Sequence, residues 1–583
     1  MRYPTLTEQA TSRQMIDVFA GYNHNLRIQD GEFYDMKNLS PAYYPILSPR
    51  DGRTTYAEPS NAQGIIAKDA LCYVDGSYFV INKYRIDMEL STEAEHCPKT
   101  LVSMGSYVII LPDKKWINTL VNDEEEPQWG KIEATFTSKA DVTFEICNIT
   151  GDLYTGATAS PDEPADPANM ELWIDTSSTP HTLKQYSTSS AMWVSIPTTY
   201  VKIYSPNIGK SFSQYDGVTI SGIDKAVAAD LNGSTVIWEK GDDFIVVIGI
   251  LDETITQKAD EGAITIERRM PNLDYITEAN NRLWGCRYGV AANGEVVNEI
   301  YASKLGDFKN WNCFMGISTD SWVGSVGTDG QFTGAVTHLG YPVFFKENCL
   351  HKVYISSTGA HQIQDTACRG VQKGCHKSLA IVNEVLYYKS RKAVCAYDGS
   401  LPVEVSSALG EVQYSDAVSG GQGNYYYISM KDADGVYHMF CYDTARGMWY
   451  HEDNTKADAF TTCDGQLYYI EGGKIKTVSG GNESVDWMAE TGLIGVTYPD
   501  QKYISRLLLR MSMEIGATLT IYAQYDSSGD WERVGEIAGT TTRSFNIPIR
   551  TKRCDHMRLR LEGTGVTKIY SITKTIEQGS DVS

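Results

Sequence analysis

Cys368, Cys375 and His376 are the nearest approach in this chain to a metal-ligating group. Their Cys-x6-Cys-His spacing supplies three donors, but a structural zinc takes four and no fourth falls at finger-like spacing. The stretch 365–377 therefore reads as a turn-rich crossing between strands. No Gly-x-Ser-x-Gly, Gly-x-x-x-x-Gly-Lys-Ser/Thr or His-Glu-x-x-His occurs, and the ten His are dispersed. Cleaving a glycosidic bond needs two carboxylates across a cleft, and among 73 Asp and Glu no pair in sequence stands out. The expectation is a chain that is not an enzyme, with no catalytic residue, no cofactor and no metal.

Asp526-Ser527-Ser528-Gly529-Asp530-Trp531 is similar to the Ser-x-Asp-x-Gly-x-x-Trp box of sialidase propellers. It departs from it because Asp526 stands three residues before Gly529 instead of two, so it reads as a hairpin turn on which Trp531 packs. Cations crowd the last hundred residues: Arg506, Arg510, Arg543, Arg550, Lys552, Arg553, Arg558, Arg560, Lys568 and Lys574. Alternation in Arg558-Leu559-Arg560-Leu561 places both arginines on one face of a strand. Two readings stay open. One is a solvated face; the other is a docking surface for an acidic partner, carried by Arg506, Arg510, Arg553, Arg558 and Arg560.

The elements that must position these residues are strands. The chain has 37 Tyr and 50 Gly against 15 Phe, a composition of half-wetted strands and tight turns, which points to an all-β protein. A formal charge of -22 argues against a surface that grips nucleic acid, though it suits a wall past which DNA slides. No run of 18 apolar residues and no apolar N-terminal region occur, so neither a membrane span nor a signal peptide is expected. The 12 Cys are scattered without a Cys-x-x-Cys pair and read as reduced, buried, small apolar residues of a protein made in a cytoplasm.

Along the chain, residues 1–60 are dense in Pro and read as an extended arm that crosses a surface or reaches a neighbouring subunit. Strand pairs in 61–121, such as Ala70-Leu71-Cys72-Tyr73-Val74 with Ser77-Tyr78-Phe79-Val80-Ile81, read as the first blades of a β-propeller. After the acidic run Asp123-Glu124-Glu125-Glu126 the texture changes, and 122–270 reads as an inserted β domain. Blades resume in 271–484 as aromatic and aliphatic strand pairs at intervals of roughly 40 residues, which accommodates six or seven blades. Long alternating strands in 485–583 read as a separate C-terminal β-sandwich with two facing sheets.

Tyr301-Ala302-Ser303 followed by Gly306-Asp307-Phe308-Lys309-Asn310-Trp311, together with Phe344-Phe345-Lys346-Glu347-Asn348 and Gly370-Val371-Gln372-Lys373-Gly374, resembles the β-propeller proteins of tailed bacteriophages that stabilise packaged DNA or form tail hubs. The resemblance covers 276–452. It implies a virion structural protein, typically a ring of six copies that continues or closes the DNA channel. Its partners would be copies of itself and other neck or tail proteins, with DNA only passing through. In this reading Asp307 and Asn310 bond local backbone. Two alternatives remain: a receptor- or glycan-binding tail protein presenting its terminal sandwich to sugars, and a propeller glycosidase.

Overall fold

The computed structural model describes residues 11–578 except 121–125, 292, 356–359, 498–500 and 551, so Asp123, Glu124 and Glu125 of the acidic run lie outside the described residues. The chain is all-β: a seven-bladed propeller, an inserted β domain and a C-terminal β-sandwich. Among the described residues the helices are short 3₁₀ turns, and none is long and apolar enough to cross a membrane.

The blades are four-stranded antiparallel sheets over 62–87, 100–131, 275–325, 334–367, 380–404, 415–453 and 459–481. A blade strand lies between two neighbouring blades, so both of its faces are covered and its sequence reads as a run instead of an alternation. Tyr425–Lys431, YYYISMK, shows this, with Tyr426, Ile428 and Met430 on one face and Tyr427 and Ser429 on the other all buried. Tight turns complete the blades where the sequence placed them. Gly76 follows Asp75 at φ +63°, a conformation that favours glycine.

Blade seven takes only three strands from its own stretch. Its fourth is Gly52–Ala57, laid antiparallel against Lys474–Gly481, so the N-terminal arm closes the ring. The seam is completed where the inner strands of blades seven and one meet, Ala67 N–H donating to Thr461 Oγ1 at 3.0 Å over a core of Ile65, Leu71, Ile470 and Ile475.

The arm thus corrects one expectation. Thr11–Ile16 pairs with Thr567–Gln578, and Glu32–Lys37 lies between Gly21–Tyr22 and Asp486–Thr491, deep inside a continuous sheet. The prolines do not prevent this, because Pro41 falls in a 3₁₀ turn, Pro45 in the turn after it and Pro49 in a separate two-stranded ribbon, Ser48–Pro49 with Leu39–Ser40, outside the long sheet. Phe19 and Phe33 find their apolar partner in each other, ring centroids 5.9 Å apart and both buried.

The C-terminal sandwich is likewise not separate. Lys502–Tyr525 pairs with Thr567–Gln578 along its first half and with Met557–Thr564 along its second. Leu507, Leu509, Met511 and Met513 in one half and Leu519, Ile521 and Ala523 in the other are buried, while Ile515 is fully exposed and Gly516 has φ +92° at the bend between them. The strand therefore folds one sheet into two facing layers. Their core is continuous with that of blades five and six through the arm.

The insertion has its own core. A four-stranded sheet containing Gly217–Ser221 and a five-stranded sheet containing Tyr200–Tyr204 pack over Val142, Phe144, Ile203, Ile220, Ile245 and Ile266. It leaves and re-enters the propeller at one point, since Ala134 pairs with Arg268. The Gly306–Trp311 turn holds it there. Asn310, 1% exposed, accepts from Gly217 N–H at 2.9 Å and donates to Asp216 Oδ1 at 3.0 Å and Asp307 Oδ2 at 2.7 Å. Asp216 is also ion-paired with the buried Arg268. Asp307 bonds locally as expected, accepting from Lys309 N–H at 2.9 Å, but Asn310 reaches across to the inserted domain.

Candidate functional site

Each blade begins at the propeller axis, so the starts of the seven inner strands form a ring around one mouth. Two cavities open there. One, of about 580 Å³, lies among Thr100, Lys114, Asp274, Tyr275, Ala335 and His376 of blades two to five. The other, of about 490 Å³, lies among Gln63, His376, Lys377, Asp416, Tyr437 and Asp458 of blades one, five, six and seven. His376, in the 3₁₀ turn His376–Ser378 that leads into blade five, borders both.

The groups at this mouth are perturbed, and in different directions. Burial, with Lys377 adding to it, pushes the His376 imidazole down to about 4, so it is neutral at physiological pH. Burial also lowers the Lys377 ammonium, with Asp458 and Asp416 pulling the other way. Tyr275, whose ring lies 5.2 Å from that of His376, is raised to about 12 by burial and then by Cys286 and Asp274. Asp274 is itself raised by burial. Tyr437 is raised to about 12 by burial and by its hydrogen bond to Asp416 Oδ2.

Charges of both signs line the mouth. Lys377 Nζ donates to the Asp458 carbonyl at 2.9 Å, and Lys456 Nζ lies 3.3 Å from Asp458 Oδ1. Two groups are left over: among the described residues, Nδ1 of His376 and both polar atoms of the buried Gln63 carboxamide have no hydrogen-bond partner. Buried polar groups are normally satisfied, and a cluster of perturbed groups around a concavity is the usual physical mark of a site.

The residues singled out in the sequence are dispersed. Cys368 lies beside Cys349 and Cys395, whereas Cys375 accepts from Ala417 N–H at 3.4 Å, so they do not converge with His376 on a metal. Among the described residues the one group with metal-ligand geometry is Glu93, Glu95 and His96, with both glutamates exposed. All twelve cysteines are free.

Asp526 to Trp531 forms the hairpin turn between the two long strands, with Arg560 4.1 Å above the Trp531 ring. Arg558 and Arg560 do share a face, and both turn to Glu490, at 3.1 and 2.9 Å; Arg558 also lies over Tyr34. Arg506, Arg510 and Arg553 are exposed, Arg506 donating to Asn546 Oδ1 at 3.1 Å. No sequence signal marked the mouth, because its residues belong to seven repeats and meet only when the ring closes.

No known protein family and no curated protein matches the sequence. Among solved structures, the chain is similar to an exo-β-1,3-galactanase from Phanerochaete chrysosporium, at 7% identity over 51% of this chain and 94% of that one, with a TM-score of 0.21. It is also similar to a Pyrococcus horikoshii acylaminoacyl peptidase, at 10% identity over 53% and 55% with a TM-score of 0.22. A third is Trypanosoma rangeli sialidase, at 7% identity over 90% and 96% with a TM-score of 0.18. Likeness at this level assigns no activity. It does correct the expectation of a chain that is not an enzyme, because the matching structures carry hydrolase names and a lack of linear motifs excludes no catalyst.

Proposed function

We propose that this chain is a receptor-binding component of a tailed-phage particle that holds a host-surface glycan at the mouth of its propeller axis. One observation carries the reading: the seven blades between them border two adjoining cavities that share His376, where charges of both signs stand beside a buried carboxamide and an imidazole nitrogen that are unpaired. A sugar hydroxyl both donates and accepts. Lys and Asp side by side, an amide and tyrosine ring faces therefore complement a neutral polyhydroxylated ligand better than a phosphate or a metal ion. The phage setting rests on the resemblance of the Gly306–Trp311 turn. This reading moves the sugar site from the terminal sandwich to the propeller.

A glycan array probed with the intact chain tests it. Lys377→Met and Asp416→Asn are expected to weaken the strongest signals about tenfold or more, as loss of a charged hydrogen-bond partner does. Undiminished binding by both variants rules the mouth out.

A ring of copies in the neck or tail is the second reading, and one observation favours it. Among the described residues, Thr11–Ile16 stands at the end of the long sheet and Glu532–Ile547 pairs with a strand on one side only. Open edges are natural templates for a neighbouring chain, and Met15 on the first is 62% exposed. Light scattering of the chain, alone and with portal-side proteins, checks this; monomers under both conditions count against it.

A further inference from the structure

We propose that Cys349, His351 and Asp365 of blade four form a thiol–imidazole–carboxylate site in which Cys349 takes up acyl groups. The site lies away from the axial mouth and does not depend on it. Cys349 and His351 alternate on the strand Cys349–Ile355, which puts them on one face, and His351 is paired directly across from Asp365 on His361–Ala367. His351 Nδ1 lies 2.6 Å from Asp365 Oδ1, and Nε2 lies 3.7 Å from Cys349 Sγ and 3.0 Å from Thr328 Oγ1.

The proton assignment follows from the partners. Asp365 accepts, so Nδ1 carries the hydrogen, and Nε2 presents its lone pair to the thiol and to the Thr328 hydroxyl. A nucleophile within reach of a base that a third group orients is the general arrangement for covalent catalysis. Burial lowers the His351 imidazole even against the opposing Asp365, which keeps it neutral and able to accept a proton. The thiol is half-buried and Asp365 is 48% exposed, so the array is open to solvent on its carboxylate side.

With an activated ester the step is balanced. The thiol proton passes to His351 Nε2 and Sγ bonds to the carbonyl carbon. The carbon–oxygen bond to the leaving group then breaks, and the departing phenolate takes the proton. The products are a Cys349 thioester and the phenol.

The test treats the intact chain with p-nitrophenyl acetate, locates acetyl groups by peptide mass spectrometry and follows the rate against pH. Cys349 is expected to acetylate about tenfold or more faster than the half-buried Cys97, Cys368 and Cys463. His351→Gln and Asp365→Asn should each slow it by roughly tenfold to a hundredfold, the lower range for loss of a positioned base. Because His351 is buried and its variant is at risk of misfolding, the exposed Asp365→Asn is the deciding one. Thr328→Val, which frees the Nε2 lone pair for the thiol, should quicken the reaction. Even acetylation across the four half-buried thiols, or a Cys349 rate and pH profile unmoved by Asp365→Asn, overturns the proposal.

Discussion

The propeller is joined to its two companions in opposite ways. The insertion meets it through a polar seam, the knot of Asn310, Asp216, Asp307 and Arg268 with Asn312 on Ser234 and Cys313 and Lys304 on Tyr215 beside it, and keeps its own apolar core. The sandwich meets it through the arm, whose strands continue the sheet of blade six into the sandwich and whose side chains merge the cores. The first joint specifies a docking geometry, whereas the second makes two domains into one folding unit. A hydrogen-bonded joint can be undone while both partners remain folded. A shared core cannot, because its loss exposes apolar surface on both sides.

The largest test of this contrast is deletion. Removing residues 1–57 takes the closing strand from blade seven and the strands between blade six and the sandwich, and should leave no cooperatively folded protein by circular dichroism. Replacing 134–268 with a short Gly/Ser linker should instead leave the propeller's melting transition within a few degrees, because Ala134 and Arg268 are neighbours. Equal damage from the two deletions would dissolve the distinction.

Next in size is the ion cluster under the arm. Arg53 Nη2 lies 2.6 Å from Glu452 Oε2 and Arg53 Nη1 2.8 Å from Asp453 Oδ2, with Arg53 8% and Glu452 3% exposed. Burial raises the Glu452 carboxyl despite Arg53 and Arg50. Arg53→Ala strands that carboxylate and should cost about 3–5 kcal/mol in urea unfolding. Asn310→Ala should cost about 1–3 kcal/mol, the range for leaving buried polar groups unpaired. Hydrogen exchange should show its effect confined to the insertion and its docking turn.

A pH effect is smaller and belongs to the arm joint. His451 Nδ1 donates to the Met36 carbonyl at 2.8 Å, and burial lowers its imidazole from 6.5 to about 4. A base depressed in the folded state binds its proton first in the unfolded chain. Stability is therefore full above about 6.5 and falls as pH drops toward 4, by at most about 1.4 kcal/mol per pH unit. His451→Gln should flatten this slope in unfolding curves measured between pH 7 and 4.

These contrasts also explain what was legible beforehand. Blade strands such as Tyr425–Lys431 announce themselves by aromatic runs and nearby turns, since their partners are close in sequence. Gly52–Ala57 carries no such mark, because its partner Lys474–Gly481 lies over four hundred residues away. The arginine pair was placed on the correct face, but Glu490, which holds it, is about seventy residues distant. His376 stood out only as a metal ligand, and its companions at the axis come from other blades. Cys349, Leu350 and His351 were legible in principle, as a nucleophile and a base on one face of a strand, yet a two-residue spacing has no motif attached to it.

The most direct test of the central claim is calorimetric titration of a host-surface glycan into the intact chain and into the chain lacking 134–268. The mouth belongs to the propeller alone, so equal affinity is expected in both, with the Lys377→Met variant weakened in either background. Binding that disappears with the insertion and ignores Lys377→Met would contradict the account.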